Sequence, residues 1–289
     1  MEVIKRVSQM REFIRDRKAR GRTIGFVPTM GYLHAGHLSL VRRAFRDCDE
    51  VVVSIFVNPT QFGPREDFGR YPRDIERDKR MLAACGVRVV FCPLPREMYP
   101  EGCGTYVDVP RLSRGLCGGL RPGHFQGVAT VVAKLFNIIS PDIAYFGQKD
   151  FQQACVIRRM VKDLNMPLRI KALPTVREPD GLAMSSRNSY LSRQQRSQAV
   201  VLCQSLKQAK GLIKNGEKSA AKIIRFIRGR IGRMSQARID YVSVVNAQTL
   251  GSIKQIEKNT LIALAVYFGD TRLIDNVIIT RDGHCVCPR

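Results

Sequence analysis

Between Thr23 and Ala172 short apolar runs alternate with amphipathic stretches, and that order constrains the chain more than any other feature of its sequence. Residues 23–27, 51–57 and 87–91 read as strands buried on both faces, and 142–146 and 168–172 continue the series. Between them, residues 36–46, 71–84, 125–139 and 151–163 carry helical periodicity. Strands and helices in regular turn predict a parallel sheet wound on both faces, and such sheets take ligands beyond the carboxyl ends of their strands. After Pro174-Thr175-Val176 the pattern changes to a polar loop, helical segments around 194–212 and 218–234, strand-like runs at 239–245 and 260–268, and a third at 276–279. The expected fold is therefore α/β: a Rossmann-like, doubly wound parallel sheet over residues 1–176, followed by a smaller C-terminal α+β lid domain over 177–289.

Residues 1–22 mix basic side chains with Glu2, Glu12 and Asp16, so they lack the unbroken apolar stretch of a secretion signal. Val3, Val7, Met10 and Ile14 fall on one face and predict a single amphipathic helix. The longest apolar run, near 51–57, is too short to cross a bilayer, so no membrane is expected and the cytoplasm is the expected compartment. The 48 Lys and Arg against 25 Asp and Glu give a net charge of +23, but they are spread along the chain without a basic block. A solvated basic surface is expected in preference to a dedicated nucleic-acid site. The nine cysteines show no zinc-finger spacing and read as reduced thiols, with a metal site at Cys285, Cys287 and neighbouring His284 as the alternative.

Chemistry concentrates where strands end. Pro28-Thr29-Met30-Gly31-Tyr32-Leu33-His34-Ala35-Gly36-His37 follows the first strand and opens a helix, whose first amides suit phosphate. The G-x-x-x-x-G spacing is that of a Walker loop, but His37 and Leu38 stand where that loop needs Lys and Ser or Thr. His34 and His37 can instead face the same phosphates. Phe56-Val57-Asn58-Pro59-Thr60-Gln61-Phe62 ends the second strand, and its uncharged Asn58 and Gln61 suit a small hydroxyl- and carboxylate-bearing substrate. Gly147-Gln148-Lys149-Asp150-Phe151-Gln152-Gln153 follows a later strand; Lys149 is a flexible point charge for phosphate, and Asp150 suits a helix cap or a place beside Mg²⁺ or ribose. Met184-Ser185-Ser186-Arg187-Asn188 supplies hydroxyls, amides and an Arg able to close over a triphosphate.

The H-x-G-H turn is similar to the signature of the nucleotidyltransferase and class I synthetase superfamily, and the Met184–Arg187 stretch looks like a variant of its K-M-S-K-S loop. Together with Arg121-Pro122-Gly123-His124-Phe125-Gln126-Gly127 and Arg177-Glu178-Pro179-Asp180-Gly181, the four motifs resemble the pantothenate synthetase family from about Thr23 to Ser192. That resemblance implies an ATP-dependent, AMP-forming ligase joining pantoate to β-alanine through a pantoyl adenylate. It implies ATP contacts at Met30, Gly31, Tyr32, Leu33, His34, Ala35, Gly36 and His37, at Gly147, Gln148, Lys149 and Asp150, at Val176, and at Met184, Ser185, Ser186 and Arg187. His34, His37, Lys149 and Arg187 would neutralise phosphates, with His37 as proton donor. Gln61 and Gln153 would hold pantoate, and Gln61 would also touch β-alanine. Mg²⁺ would arrive with the nucleotide, with no private protein site, and the chain would form a homodimer. A phosphate-acceptor nucleotidyltransferase and an RNA-binding relative of tRNA synthetases are the competing readings.

Overall fold

The computed structural model describes residues 1–64 and 66–280, so the tail residues His284, Cys285 and Cys287 lie outside the described residues. Six strands, β1 (Glu2–Ile4), β2 (Ile24–Thr29), β3 (Glu50–Ile55), β4 (Val89–Phe91), β5 (Ile143–Gly147) and β6 (Arg169–Leu173), form one sheet in the order β1-β4-β3-β2-β5-β6. Every pairing in it is parallel. The longest register runs from Ile24 opposite Glu50 to Thr29 opposite Ile55. These strands are short Val- and Ile-rich runs because helices cover both faces, leaving no polar face to alternate with.

The connecting helices are α1 (Val7–Ala19), α2 (Ala35–Asp47), α3 (Ile75–Ala84), the short α4 (Pro95–Met98), α5 (Pro110–Ser113) and α6 (Cys117–Leu120), then α7 (His124–Ile139) and α8 (Phe151–Asp163). On one face of the sheet Leu40, Val41 and Ala44 of α2 and Leu82 of α3 pack on Val27, Val51, Val53 and Tyr145. On the other, Phe136 of α7 meets Phe26 edge-on at 6.3 Å. Asp74 caps α3 by accepting from the Arg77 amide, so this helix starts after Pro72 and not at Tyr71. The strand order reverses between β2, which leads to β3 on one side, and β5 on its other side. Ligand crevices of open α/β sheets form at such a switch point.

The amphipathic helix expected within residues 1–22 forms from Val7, with Met10 and Ile14 buried, but Val3 lies outside it. Glu2–Ile4 is an edge strand paired with β4, fixed by Glu2 N–H to Arg88 O at 2.7 Å and Cys92 N–H to Ile4 O at 2.8 Å, and the helix begins only at Val7. The β-branched Val3 and Ile4 complete a sheet edge, which outweighs the helical spacing of Val3.

The chain divides into two compact units: Met1–Arg114, Gly118–Gly147 and Gln153–Leu173 in the first, and Gly115–Cys117, Gln148–Gln152 and the chain from Pro174 in the second. In the second unit β7 (Ala237–Asn246), β8 (Thr260–Phe268) and β9 (Thr271–Ile279) form an antiparallel sheet in sequential order. Its helices are α9 (Arg193–Ala199), α10 (Val201–Lys214) and α11 (Ala220–Ile231). Leu202, Leu206, Ile223 and Ile227 close a core with Leu264, Val266 and Phe268 of β8.

Candidate active site

In the first unit, the turn after β2 is bent by backbone that few residues accept. Gly31 has φ +82° and Tyr32 φ +49°; a Cβ on Gly31 would stand 3.0 Å from Ile55 Cγ2 and 3.1 Å from Asp78 Oδ2. Asp78, on α3 and fully buried, holds this bend: the Tyr32 amide donates to Oδ2 and the Leu33 amide to Oδ1, each at 2.7 Å. Burial pushes the Asp78 carboxyl up, and it stays above its ordinary value although both amides and Arg77 pull the other way. Thr29 accepts from the Gly31 amide at 3.2 Å while donating to Ser54 O at 2.7 Å, tying the turn to β3.

The two histidines cap α2 reciprocally. The Gly36 amide donates to His34 Nδ1 at 3.1 Å, the His34 amide donates to His37 Nδ1 at 3.3 Å, and the rings lie 4.1 Å apart. A ring whose Nδ1 accepts an amide hydrogen carries its proton, when neutral, on Nε2. Each imidazole therefore presents Nε2–H as its donor, from a half-buried position at a helix N-terminus.

The Asn58–Gln61 stretch also sits in the first unit. Pro59–Gln61 is one 3-10 turn packed on α7 so closely that a Cβ on Gly127 would come within 2.4 Å of Thr60 O. Asn58, 1% exposed, donates to Gln61 Oε1 at 3.2 Å and to Gly127 O at 3.1 Å, and accepts from Tyr99 Oη at 2.8 Å and Thr60 Oγ1 at 3.0 Å. Gln61 Nε2 points at the Met30 sulfur, 3.2 Å away, a weak acceptor that a substrate oxygen can replace. The Gln61 carbonyl accepts from His124 Nδ1 at 2.8 Å; since a carbonyl only accepts, that nitrogen carries the proton. Gln153 lies half-buried in the first turns of α8.

The second unit holds the remaining phosphate-type residues. Asn276 on β9 donates to Gln148 O at 3.1 Å and to Lys149 O at 2.9 Å. Its neighbour Asp275, 2% exposed, takes a two-pronged ion pair from Arg177 at 2.7 and 2.9 Å. Arg177 in turn donates to Gly181 O at 3.0 Å. Arg177 and Ala183 bridge in antiparallel fashion, and the Met184 amide donates to Val176 O at 3.0 Å, so Val176 and Met184 are bound to one another. From Ser185, whose hydroxyl caps Arg187 N–H at 3.3 Å, the chain enters a 3-10 turn. Asn188 fixes that turn on Glu178 at 2.6 Å and Ala183 O at 3.2 Å. Burial pushes the Lys149 ammonium below its ordinary value; Asp150 and Asp275 oppose the shift and Arg187 adds to it.

Gly147 and residues 30–37, 61 and 153 thus belong to the first unit, and residues 148–150, 176 and 184–187 to the second. Asp78, Tyr99, Asp275 and Asn276 were not expected from the sequence. Each works on backbone or side-chain groups far along the chain, and only the odd Asp-Asn pair inside an apolar β9 offered a signal.

A doubly wound parallel sheet with a switch point beside its first central strand defines a Rossmann-like α/β protein. The family model for pantoate-beta-alanine ligase matches residues 2–278, and the chain belongs to that family. The pantothenate synthetase of Acetivibrio thermocellus is 58% identical over 279 residues, spanning 96% of this chain and 99% of that one. The crystal structure of pantothenate synthetase from Thermus thermophilus superposes with a TM-score of 0.92 at 45% identity, covering 97% of this chain and all of that one. The pantoate-beta-alanine ligase of Francisella tularensis, crystallised with beta-gamma ATP and beta-alanine, gives a TM-score of 0.80 at 35% identity, covering 96% and 97%.

Proposed function

We propose that the chain condenses pantoate with β-alanine at the expense of ATP, releasing AMP and pyrophosphate, through a pantoyl adenylate. The observation that carries this reading, within the family, is the His34–His37 turn with both Nε2–H donors set at the start of α2. In the first step a pantoate carboxylate oxygen attacks the α-phosphorus and the bond to pyrophosphate breaks. The carboxylate is already ionised at neutral pH, so the step needs alignment and charge stabilisation and no base. His34, His37, Lys149 and Arg187 neutralise the phosphates, with His37 donating a proton as pyrophosphate departs. Residues 30–37, 147–150, 176 and 184–187 bind ATP; Gln61 and Gln153 hold pantoate, and Gln61 also receives β-alanine. In the second step the β-alanine amine, having lost one proton, attacks the acyl carbon. The new C–N bond forms, nitrogen gives up a second proton to solvent, and AMP leaves with the electron pair of the broken C–O bond.

Mg²⁺ is proposed to enter with the nucleotide, where it would offset phosphate charge. Among the described residues no group of three or more His, Cys, Asp or Glu is placed to hold an ion. Exposed Asp150, beside Lys149, would be a carboxylate to help place it. A homodimer in the cytoplasm completes the proposal; no helix among the described residues is long and apolar enough to cross a membrane.

The test is pyrophosphate release from ATP and Mg²⁺ with pantoate alone, then with β-alanine added. Release that depends on pantoate, and becomes sustained turnover to AMP and pantothenate with β-alanine, is expected. Folded protein indifferent to pantoate would refute the reading. His37→Ala is expected to keep the fold and lose at least tenfold in adenylate formation; a full general-acid contribution would be about a hundredfold or more.

A further inference from the structure

Beside Gln61 lies an arginine that the roles above leave unused. Arg121 Nη2 reaches the Gln61 carbonyl at 3.5 Å, and its Nη1 lies 3.2 Å from Nε2 of His124, the ring that donates to the same carbonyl. Since His124 Nδ1 carries the proton, Nε2 accepts from Arg121, so these two partners of the guanidinium carry no negative charge. Its remaining edge closes on the carboxylate of Glu66, through Nε at 2.6 Å and through Nη2. The pair is only partly enclosed, with the two side chains 17% and 25% exposed. Burial pushes the Glu66 carboxyl up, but the Arg121 bonds outweigh that and leave it below its ordinary value, ionised at neutral pH. Glu66 belongs to no helix or strand; it stands in a turn closed by its own amide on Gly63 O at 3.0 Å.

The second substrate has a matching need. β-Alanine must lose its amine proton to attack, but its carboxylate stays charged throughout, and a neutral Gln61 cannot balance it. A guanidinium that already grips one carboxylate with a two-pronged fork has the shape to grip another. Lys134, another cation, lies over the Tyr99 ring at 5.5 Å, and its ammonium offers no such fork. We propose that Arg121 is the counter-ion of the β-alanine carboxylate, and that Glu66 is an internal carboxylate which occupies Arg121 until β-alanine displaces it. The exchange has a chemical reason: a bare guanidinium beside Gln61 would also capture the carboxylate of pantoate, which has to face the α-phosphorus. The inference rests on the ligase reading and names the specificity element of its second half.

The experiment compares β-alanine with β-alaninamide, which keeps the amine and lacks the carboxylate, alongside pantoate-dependent exchange of pyrophosphate into ATP. Arg121→Ala is expected to shrink the kcat/KM preference for β-alanine over β-alaninamide by roughly ten- to a hundredfold, the span of a charge-assisted pair. A purely structural arginine would depress both amines alike and leave the ratio unchanged, and that result overturns the proposal. Glu66→Gln retains Arg121 and removes the competing charge; the KM for β-alanine is expected to fall severalfold while that for β-alaninamide holds. A rise in the β-alanine KM in Glu66→Gln overturns the proposal even if Arg121→Ala does not fold. Wild-type protein without pantoate-dependent exchange would remove the ligase reading itself, whereas normal exchange with an unchanged amine ratio removes only the role of Arg121.

Discussion

Asp78 shows why some residues of a site can be read from a sequence and others cannot. His34 and His37 announce themselves because their type, their spacing and their place after a strand are all local. Asp78 sits 41 positions beyond His37, in the acidic first turn of α3, where it looks like any residue favoured by a helix N-terminus. Its work is visible only once folding brings α3 under the Tyr32–Leu33 amides. Replacing it by Ala orphans two amide donors, each costing about 1–3 kcal/mol if left buried. Asp78→Ala is therefore expected to lower the melting temperature and to cut pantoate-dependent pyrophosphate release at least tenfold by loosening the histidine turn. Asp78→Asn, which keeps one acceptor, should fall between it and wild type; full activity in Asp78→Ala would show that the turn holds without its anchor. Lys149 makes a separate prediction from its lowered ammonium. A bound triphosphate favours the charged form, so the lysine's contribution to ATP affinity is complete below its pKa in the free protein and fades as pH rises towards its pKa in the complex. The KM for ATP should accordingly climb at a pH below the range of ordinary lysines. Lys149→Arg should flatten that limb, because guanidinium stays charged. An identical alkaline limb in Lys149→Arg would assign it to another group.

At the scale of elements, strands that were legible are those long enough to show burial on both faces, such as Glu50–Ile55 with its run of three valines. Glu2–Ile4 was not, because three residues cannot display a period and their apolar members also fit the helix that follows. The 3-10 turn Pro59–Gln61 was legible as a stop at Pro59, but not its close contact with Gly127, which depends on where α7 runs. β9 is the element whose role the sequence hid most. It reads as a plausible third strand, yet it carries both Asn276, which holds the carbonyls of Gln148 and Lys149, and Asp275, which holds Arg177. A strand in the small sheet thus positions two segments proposed to bind ATP. Asn276→Leu should raise the KM for ATP about five- to tenfold, the loss of about 1–1.4 kcal/mol expected of a backbone anchor, and leave the KM for pantoate within twofold. Asn276→Asp, which sets an acceptor against two carbonyls, should be worse than Leu. Parallel increases in both KM values, with an unchanged melting temperature, would show that β9 supports no particular substrate.

For the whole molecule, the alternation of apolar runs disclosed the class of fold, because a parallel sheet covered on both faces leaves that pattern and few others do. It did not disclose the order β1-β4-β3-β2-β5-β6, which is set by how crossovers are wound and not by any one segment. The charge of +23 was equally plain and says nothing about fold, but it bears on how substrates arrive. A surface this basic raises the local concentration of anions in proportion to their charge, and salt removes the effect as the screening length falls below roughly 10 Å. ATP carries several negative charges, pantoate one, and β-alanine none overall. Raising ionic strength should therefore increase the KM for ATP most, that for pantoate less and that for β-alanine least, with kcat little changed. The Arg121 pair does not disturb this ranking, since a partly enclosed, two-pronged contact is screened far less than the open surface. Equal shifts for all three substrates would mean that the basic surface does not steer them. Salt-sensitive binding of unrelated RNA, with ATP kinetics untouched, would instead place the charge in the service of a polyanion and leave the reaction to the residues that line its own turns.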